Sequence, residues 1–310
     1  MSFTTEVKEE LSRVEPTCSH CDAATLAALI RIEGSIFLAG PGKFRLEIST
    51  DVPQVARFII KSLHERYALK TDLTMRRNVL HKTPNWLIDI PNQPGLSEAL
   101  NDLGIVGEEG LQRGIDPSLV QKQCCASAYL RGVFLGSGFI SNPRGDFHFE
   151  ITVESQTMAH DIVELMATKD IHAKIVERRN AYTVYLKSGA AISAFLAFVG
   201  AHQSALKMEN ERVIKSVRND VNRRVNAEIA NQAKTAEASV EQVQAIRTLL
   251  DHRDIKSLPR GLQEFIQLRV RYPEATLKEL GERANPPLSK SAIYHRVRRI
   301  EQLAKEVSKR

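Results

Sequence analysis

Three groups of residues have the types and spacing for chemistry. The first is Glu33, the acid that closes the apolar stretch LAALIRIEGS, Leu26 to Ser35. A carboxylate at a helix end can hold a divalent cation, because Mg²⁺ prefers carboxylate and water oxygens. The second is cysteine. CSHC (Cys18 to Cys21) and CC (Cys124, Cys125) are tight groups of soft-metal ligands. The third is the polar, basic run SKSAIYHRVRRI, in which Ser289, Lys290, Ser291, Tyr294, His295, Arg298 and Arg299 offer donors and charge to phosphates and base edges. The sequence has no phosphate loop, no nucleophile triad signature and no HExxH helix.

What Glu33 can do depends on whether its stretch is repeated. Setting Leu26 on Leu130 aligns LAALIRIEGS with LRGVFLGSGF and puts Gly34 on Gly138 and Glu33 on Ser137. FRLEIST then falls on FHFEITV, two runs that alternate like strands with one buried face. DVPQVARFIIKSL matches ESQTMAHDIVELM, an amphipathic helix opened by Asp51 or Glu154. TMRRN (74–78) matches VERRN (176–180), and NWLIDI and YTVYL follow as further strands, the first holding the only tryptophan, Trp86, as a core residue. Each copy reads αββαββα. The first helices carry small residues on one face, Ala24, Ala27 and Ala28 in one copy and Gly132 and Gly136 in the other. Two helix-interior glycines, each costing about 1 kcal/mol against Ala, point to a close helix–helix approach between the copies.

The C-terminal part reads differently. From Ala201 to Ser257 there is no Gly or Pro, and Val213, Val217, Val221, Val225 and Ile229 recur at four-residue steps. A helical connector is expected over 203–238, with a break near AKTAEAS and a capping box of Ser239 and Gln242 opening the next helix. LPRGLQEFIQLRVRYP is a helix bounded by Pro259 and Pro273, ATLKELGERA is the next, and NPPLS interrupts before Ser289 caps a third. In that third helix Ile293, Val297 and Ile300 form the buried face. A short helix, a break and a basic helix make a helix-turn-helix, whose last helix enters the major groove of DNA. Charge agrees. Lys256 to Arg310 holds 13 Lys and Arg against 6 acids, a net +7, whereas the rest of the chain nets −1. A basic block of this kind favours a polyanion.

The fold class is therefore α+β: a duplicated αββαββα saddle domain at 1–202 (copies at about 22–105 and 125–202), the connector at 203–238, and an all-α helix-turn-helix domain at 239–310. LAALIRIEGS resembles the LAGLIDADG motif of homing endonucleases. Joined to the helix-turn-helix, and through SAYLRGVFLGSG, VNRRVNAEIAN and LPRGLQEFIQLRVRYPEATLKELG, nearly the whole chain resembles the bacterial WhiA family of DNA-binding regulators. The endonucleases place one carboxylate at the end of each motif helix, so that metal ions held between them stabilise attacking and leaving oxygens. Here Ser137 replaces the second acid, and one Glu cannot build the pair. Glu33 and Ser137 are degenerate endonuclease positions, no residue is assigned as catalytic, and the family is taken to lack nuclease activity.

The expected function is a non-catalytic, sequence-specific regulator of transcription. The resemblance implies a role in cell division, chromosome segregation and sporulation. Double-stranded DNA is the expected partner, read through Ser289, Lys290, Ser291, Tyr294, His295, Arg298 and Arg299. A metal-dependent endonuclease and a ligand-sensing or protein-docking scaffold are the alternatives. The saddle's own cations, among them Lys43, Arg45, Arg76, Arg77, Arg144, Lys174, Arg178 and Arg179, sit in a neutral block, so protein contact or plain scaffolding is a stronger expectation there than DNA contact. No cofactor and no metal are assigned, and the cysteines are taken as buried or half-exposed thiols, although the alignment puts Cys21 on Cys125 and His20 on Cys124. MSFTTEVKEELSRV has acids and no apolar core, so it reads as a short amphipathic helix rather than a signal peptide. With no apolar run near the roughly 20 residues a bilayer requires, no membrane association is expected, and the expected location is the cytoplasm, on the nucleoid.

Overall fold

Each copy of the repeat folds as helix, strand, strand, helix, strand, strand, helix in a computed structural model that describes residues 2–40, 42–77, 84–107 and 110–308. The chain opens with α1 (Phe3–Leu11). The first copy runs α2 (Cys21–Glu33), β1 (Gly34–Gly40), β2 (Lys43–Thr50), α3 (Pro53–Tyr67), β3 (Asp72–Arg77), β4 (Pro84–Ile90) and α4 (Leu96–Asp102). A short hairpin, β5 (Val106–Gly107) and β6 (Gly110–Leu111), precedes the second copy. That copy runs α5 (Gln123–Ser137), β7 (Gly138–Ile140), β8 (Phe149–Val153), α6 (Gln156–Ala167), β9 (Lys174–Arg178), β10 (Ala181–Leu186) and α7 (Gly189–Val199). Then follow α8 (His202–His252), α9 (Arg260–Arg271), α10 (Leu277–Glu282) and α11 (Lys290–Val307). The chain divides into two units, Met1–Lys215 and Ser216–Arg310. No helix among the described residues is long and apolar enough to cross a membrane.

The two sheets of the first unit have the same antiparallel order, β1-β2-β4-β3 and β7-β8-β10-β9. Alternation sets which face each strand buries. In β2, Leu46 and Ile48 point to the core while Arg45 and Glu47 face outward. Leu46 sits between Ile36 and Ile90 across the sheet. In the second copy Phe149, Phe134 and Phe195 close the core with ring centroids 4.6 to 5.9 Å apart. Asn78, the last residue of the TMRRN match, lies outside the described residues.

Helices α2 and α5 meet along their small-residue faces. Ala24, Ala27 and Ala28 are fully buried. A Cβ on Gly132 would lie 2.6 Å from the Thr25 carbonyl oxygen, and one on Gly136 would lie 2.6 Å from Ile32. The approach is close enough for Thr25 Oγ1 to donate across it to the Ala128 carbonyl at 3.1 Å. Helix α1 packs on the second copy: Val7 and Leu11 are buried, and Thr4 Oγ1 donates to Ile140 O at 2.8 Å.

Three local expectations are corrected. No helix break occurs near AKTAEAS, because α8 is continuous from His202 to His252. The segment holds good helix formers and no Gly or Pro to stop them. Ser239 and Gln242 are consequently mid-helix. Ser239 Oγ donates to Pro273 O and Gln242 Oε1 accepts from Arg269 Nε at 3.0 Å. The capping box of the second unit is instead Thr276 with Glu279, opening α10. Asp51 and Glu154 do not cap either. α3 starts on Val52 and Pro53, and Ser155 caps α6 through Met158 N. Trp86 is only half-buried, and its indole N–H has no hydrogen-bond partner among the described residues.

Candidate nucleic-acid interface and helix-end sites

In the second unit the ends of α8 and α9 build a core with α10 and α11. Ile246, Leu249, Phe265, Leu280, Ile293 and Ile300 are nearly or fully buried in it. Period-3.6 spacing turns Ile293, Val297 and Ile300 of α11 inward. The opposite face is therefore outward, and Ser289, Lys290, Ser291, Tyr294, His295, Arg298 and Arg299 are all exposed there. Ser289 caps α11 by accepting from Ala292 N at 3.2 Å. Tyr294 Oη accepts from Arg298 Nε at 3.0 Å, and Arg299 Nη1 donates to Gln302 at 3.0 Å.

Residues outside that face hold it in place. Arg296 turns inward to Glu264 at 2.9 Å, and Glu264 also accepts from Asn285 N at 2.9 Å. The Asn285 N–H and the Arg296 guanidinium hold the Glu264 carboxyl below the usual carboxylate range. Leu288 N donates to Gly281 O at 2.8 Å, and a Cβ on Gly281 would strike Leu288 O, so the turn folds back onto a bare glycine. Arg269 is buried. It donates from Nη1 to the Pro273 and Ala275 carbonyls at 3.2 and 2.7 Å, tying down the entry to α10. Nothing in the local pattern distinguishes Arg269 from the exposed arginines around it, so sequence reasoning missed it.

At the ends of α2 and α5, Glu33 and Ser137 line one cleft with Arg113, Thr152 and Glu154. Burial pushes the Glu33 carboxyl up to about 7, against the opposing pull of Lys8. Lys8 reaches in from α1 and donates to Gly136 O at 3.1 Å. Ser137 Oγ is buried with no hydrogen-bond partner among the described residues. At the two helix ends themselves, a carboxyl that burial biases toward its neutral form and a neutral hydroxyl, with the Lys8 ammonium near the carboxyl, offer little to a divalent cation. Among the saddle cations, Arg45 is neutralised by Asp89 at 2.9 Å and Glu47 at 2.7 Å, and Arg144 pairs with Glu211 at 3.4 Å.

The opposite ends of the same two helices bring all four cysteines together. The Sγ atoms of Cys18, Cys21, Cys124 and Cys125 lie within 4.8 Å of one another. The His20 backbone N–H and the Cys21 thiol hold Cys18 at about 6, well below the ordinary thiol range, whereas burial pushes Cys125 up. His20 Nδ1 is 4.0 Å from Cys18 Sγ, on the exposed side.

Two αββαββα copies joined helix to helix, with unlike residues at the paired helix ends and a helix-turn-helix unit after them, define a degenerate LAGLIDADG-like protein with a DNA-binding-type C-terminal domain. The WhiA N-terminal LAGLIDADG-like domain matches residues 19–106, the WhiA LAGLIDADG-like domain residues 126–218, and the WhiA C-terminal HTH domain residues 221–304. The chain belongs to the WhiA family. It is 43% identical over 310 residues to a probable cell division protein WhiA of Desulforamulus reducens, covering 99% of this chain and 96% of that one. Against the protein of the same name from Alkaliphilus metalliredigens it is 41% identical over 309 residues, covering 98% of each. The crystal structure of full-length WhiA from T. maritima is 25% identical, covers 99% of both chains and superposes with a TM-score of 0.59.

Proposed function

We propose that the chain is a sequence-specific, non-catalytic DNA-binding regulator of transcription that reads the major groove with the start of α11. The observation that carries this reading is the joint exposure of Ser289, Lys290, Ser291, Tyr294, His295, Arg298 and Arg299 on one face of a capped helix. The charge of the surrounding segment, +7 from Lys256 to Arg310, supports it. The N-terminal residues of such a helix meet base edges, and later cations meet the backbone. Membership of a family whose relatives are named probable cell division proteins supports a role in cell division. Roles in chromosome segregation and sporulation, and a place on the nucleoid in the cytoplasm, belong to the same proposal and rest on the family resemblance. The domain limits we propose remain 1–202 for the duplicated part and 239–310 for the reader, with α8 covering the interval. The test is mapping of DNA bound by the full chain across its genome, followed by binding measurements on the recovered sites. Discrete sites bound more tightly than random DNA by at least about a thousandfold support the reading. Uniform occupancy, unchanged in Lys290→Ala, overturns it.

Protein docking through the duplicated domain is a second reading. Exposed Phe37, Leu38, Leu73, Met75 and Phe139 on its strands favour it. Cross-linking from these positions in cells tests it, and recovery of DNA alone counts against it.

A further inference from the structure

We propose that Cys18, Cys21, Cys124 and Cys125 form a tetrahedral four-thiolate site for one Zn²⁺ ion, which clasps the starts of α2 and α5. The sulfur geometry is the main ground. Cys18 Sγ is 3.5 Å from Cys21 Sγ and 3.7 Å from both Cys124 and Cys125 Sγ, and no pair in the group exceeds 4.8 Å. Four sulfurs around a single zinc, each bonded at about 2.3 Å, stand about 3.8 Å apart. A disulfide would instead bring one pair to about 2.05 Å and leave the other two thiols aside. Cys18 singles out no partner. An iron–sulfur cluster places several irons and sulfides among its thiolates and needs a wider cage than one ion does.

The backbone around the group suits an anionic centre. Cys21 is the first residue of α2, and Cys124 and Cys125 lie in the first turn of α5. Two helix N-termini therefore present their positive ends to the sulfurs, which favours the thiolate form and the net negative charge of zinc with four thiolates. The Cys21 N–H donates to Cys18 O at 3.0 Å, closing the turn that places Cys18 beside its helix. Cys21 and Cys125 are 2% and 3% exposed, whereas Cys18 and Cys124 are half-buried, so the site has a dry floor and an open entrance. Binding exchanges thiol protons for Zn²⁺. The protons leave to solvent, and no oxidation state changes. Apart from the cysteines themselves, Thr25 to Ala128 is the only side-chain hydrogen bond between α2 and α5 among the described residues, so the ion would add a cross-link to an interface that rests on packing.

The test uses the full chain purified under reducing conditions without chelator. Elemental analysis should find one zinc per chain. The metal-stripped protein, given Co²⁺ alone, should develop the visible bands of tetrahedral cobalt with a near-ultraviolet thiolate-to-cobalt transition. Stripping should lower the melting temperature, and Zn²⁺ should restore it. Cys18 lies outside both helices, so Cys18→Ser should retain native circular dichroism yet bind Zn²⁺ at least about tenfold more weakly. The proposal fails if the reduced protein carries no zinc and takes up neither Zn²⁺ nor Co²⁺. It fails equally if stoichiometric iron with acid-labile sulfide is found, if a Cys18–Cys21 disulfide is recovered from freshly quenched cells, or if folded Cys18→Ser binds Zn²⁺ as tightly as the parent.

Discussion

Glu33 is a carboxyl whose surroundings favour its neutral form. The folded chain keeps its proton up to about pH 7, whereas an unfolded chain releases it near the ordinary 4.5. Between those values the folded state binds more protons, so stability falls as pH rises through the window. Glu33→Gln removes the penalty. Its stability should match the parent's near the bottom of the window and exceed it above pH 7 by on the order of 2–3 kcal/mol, with a correspondingly higher melting temperature. Parallel melting curves across that range would show that burial does not govern this group. On α11 the expected effects divide by position. Arg298→Ala should weaken binding to all DNA alike and reduce the salt slope by about 0.9, one phosphate's worth. Lys290→Ala should erode discrimination between target and random DNA by about 1–3 kcal/mol if its base contact is lost. Titrations of the full chain at several salt concentrations separate the two. Equal loss of discrimination in both variants would contradict the division.

At the scale of elements, the glycines of α5 show packing outweighing propensity. Ala in place of Gly inside a helix gains about 1 kcal/mol on an open surface. At Gly132 the added Cβ would meet the Thr25 carbonyl at 2.6 Å and the Ala28 methyl at 2.8 Å, and a backbone oxygen cannot step aside like a side-chain tip. Gly132→Ala should therefore destabilise the chain by about 1–3 kcal/mol. Chemical denaturation measures this, and a stabilised variant would mean that α2 and α5 are not as close as described. Lys8 of α1 reaches Gly136 O because that carbonyl lies in the last turn of α5, where no later backbone N–H of the helix can donate to it. In the second unit, the contrast between Ser239 and Thr276 is instructive. Both stand three residues before a Gln or Glu, yet only Thr276 follows a stretch, Tyr272 to Ala275, that cannot continue a helix because Pro273 interrupts it.

For the whole molecule, charge and chemistry are separated along the sequence. The duplicated part is near neutral and has a carboxyl at only one of its two paired helix ends, Glu33 opposite Ser137, so the full chain with Mg²⁺ or Mn²⁺ should leave plasmid and genomic DNA intact. Cutting that needs metal and vanishes in Glu33→Gln would reverse that expectation. The amino-acid sequence alone determined the duplication, the αββαββα order, the meeting of small-residue helix faces, the helix-turn-helix and the outward set from Ser289 to Arg299. Each of these is written in a local period or a local repeat, and a helix of known period has only one face to bury once Ile293, Val297 and Ile300 are placed. The tertiary structure alone decided what depends on segments far apart in the chain. It set Lys8 at the end of α5, 128 residues away. It buried Arg269 among carbonyls and gave Glu33 its raised affinity for a proton. It also gathered Cys18 and Cys21 with Cys124 and Cys125 across 106 residues. The alignment could pair Cys21 with Cys125 by position, but only the packing of α2 against α5 determines how far apart their sulfurs stand.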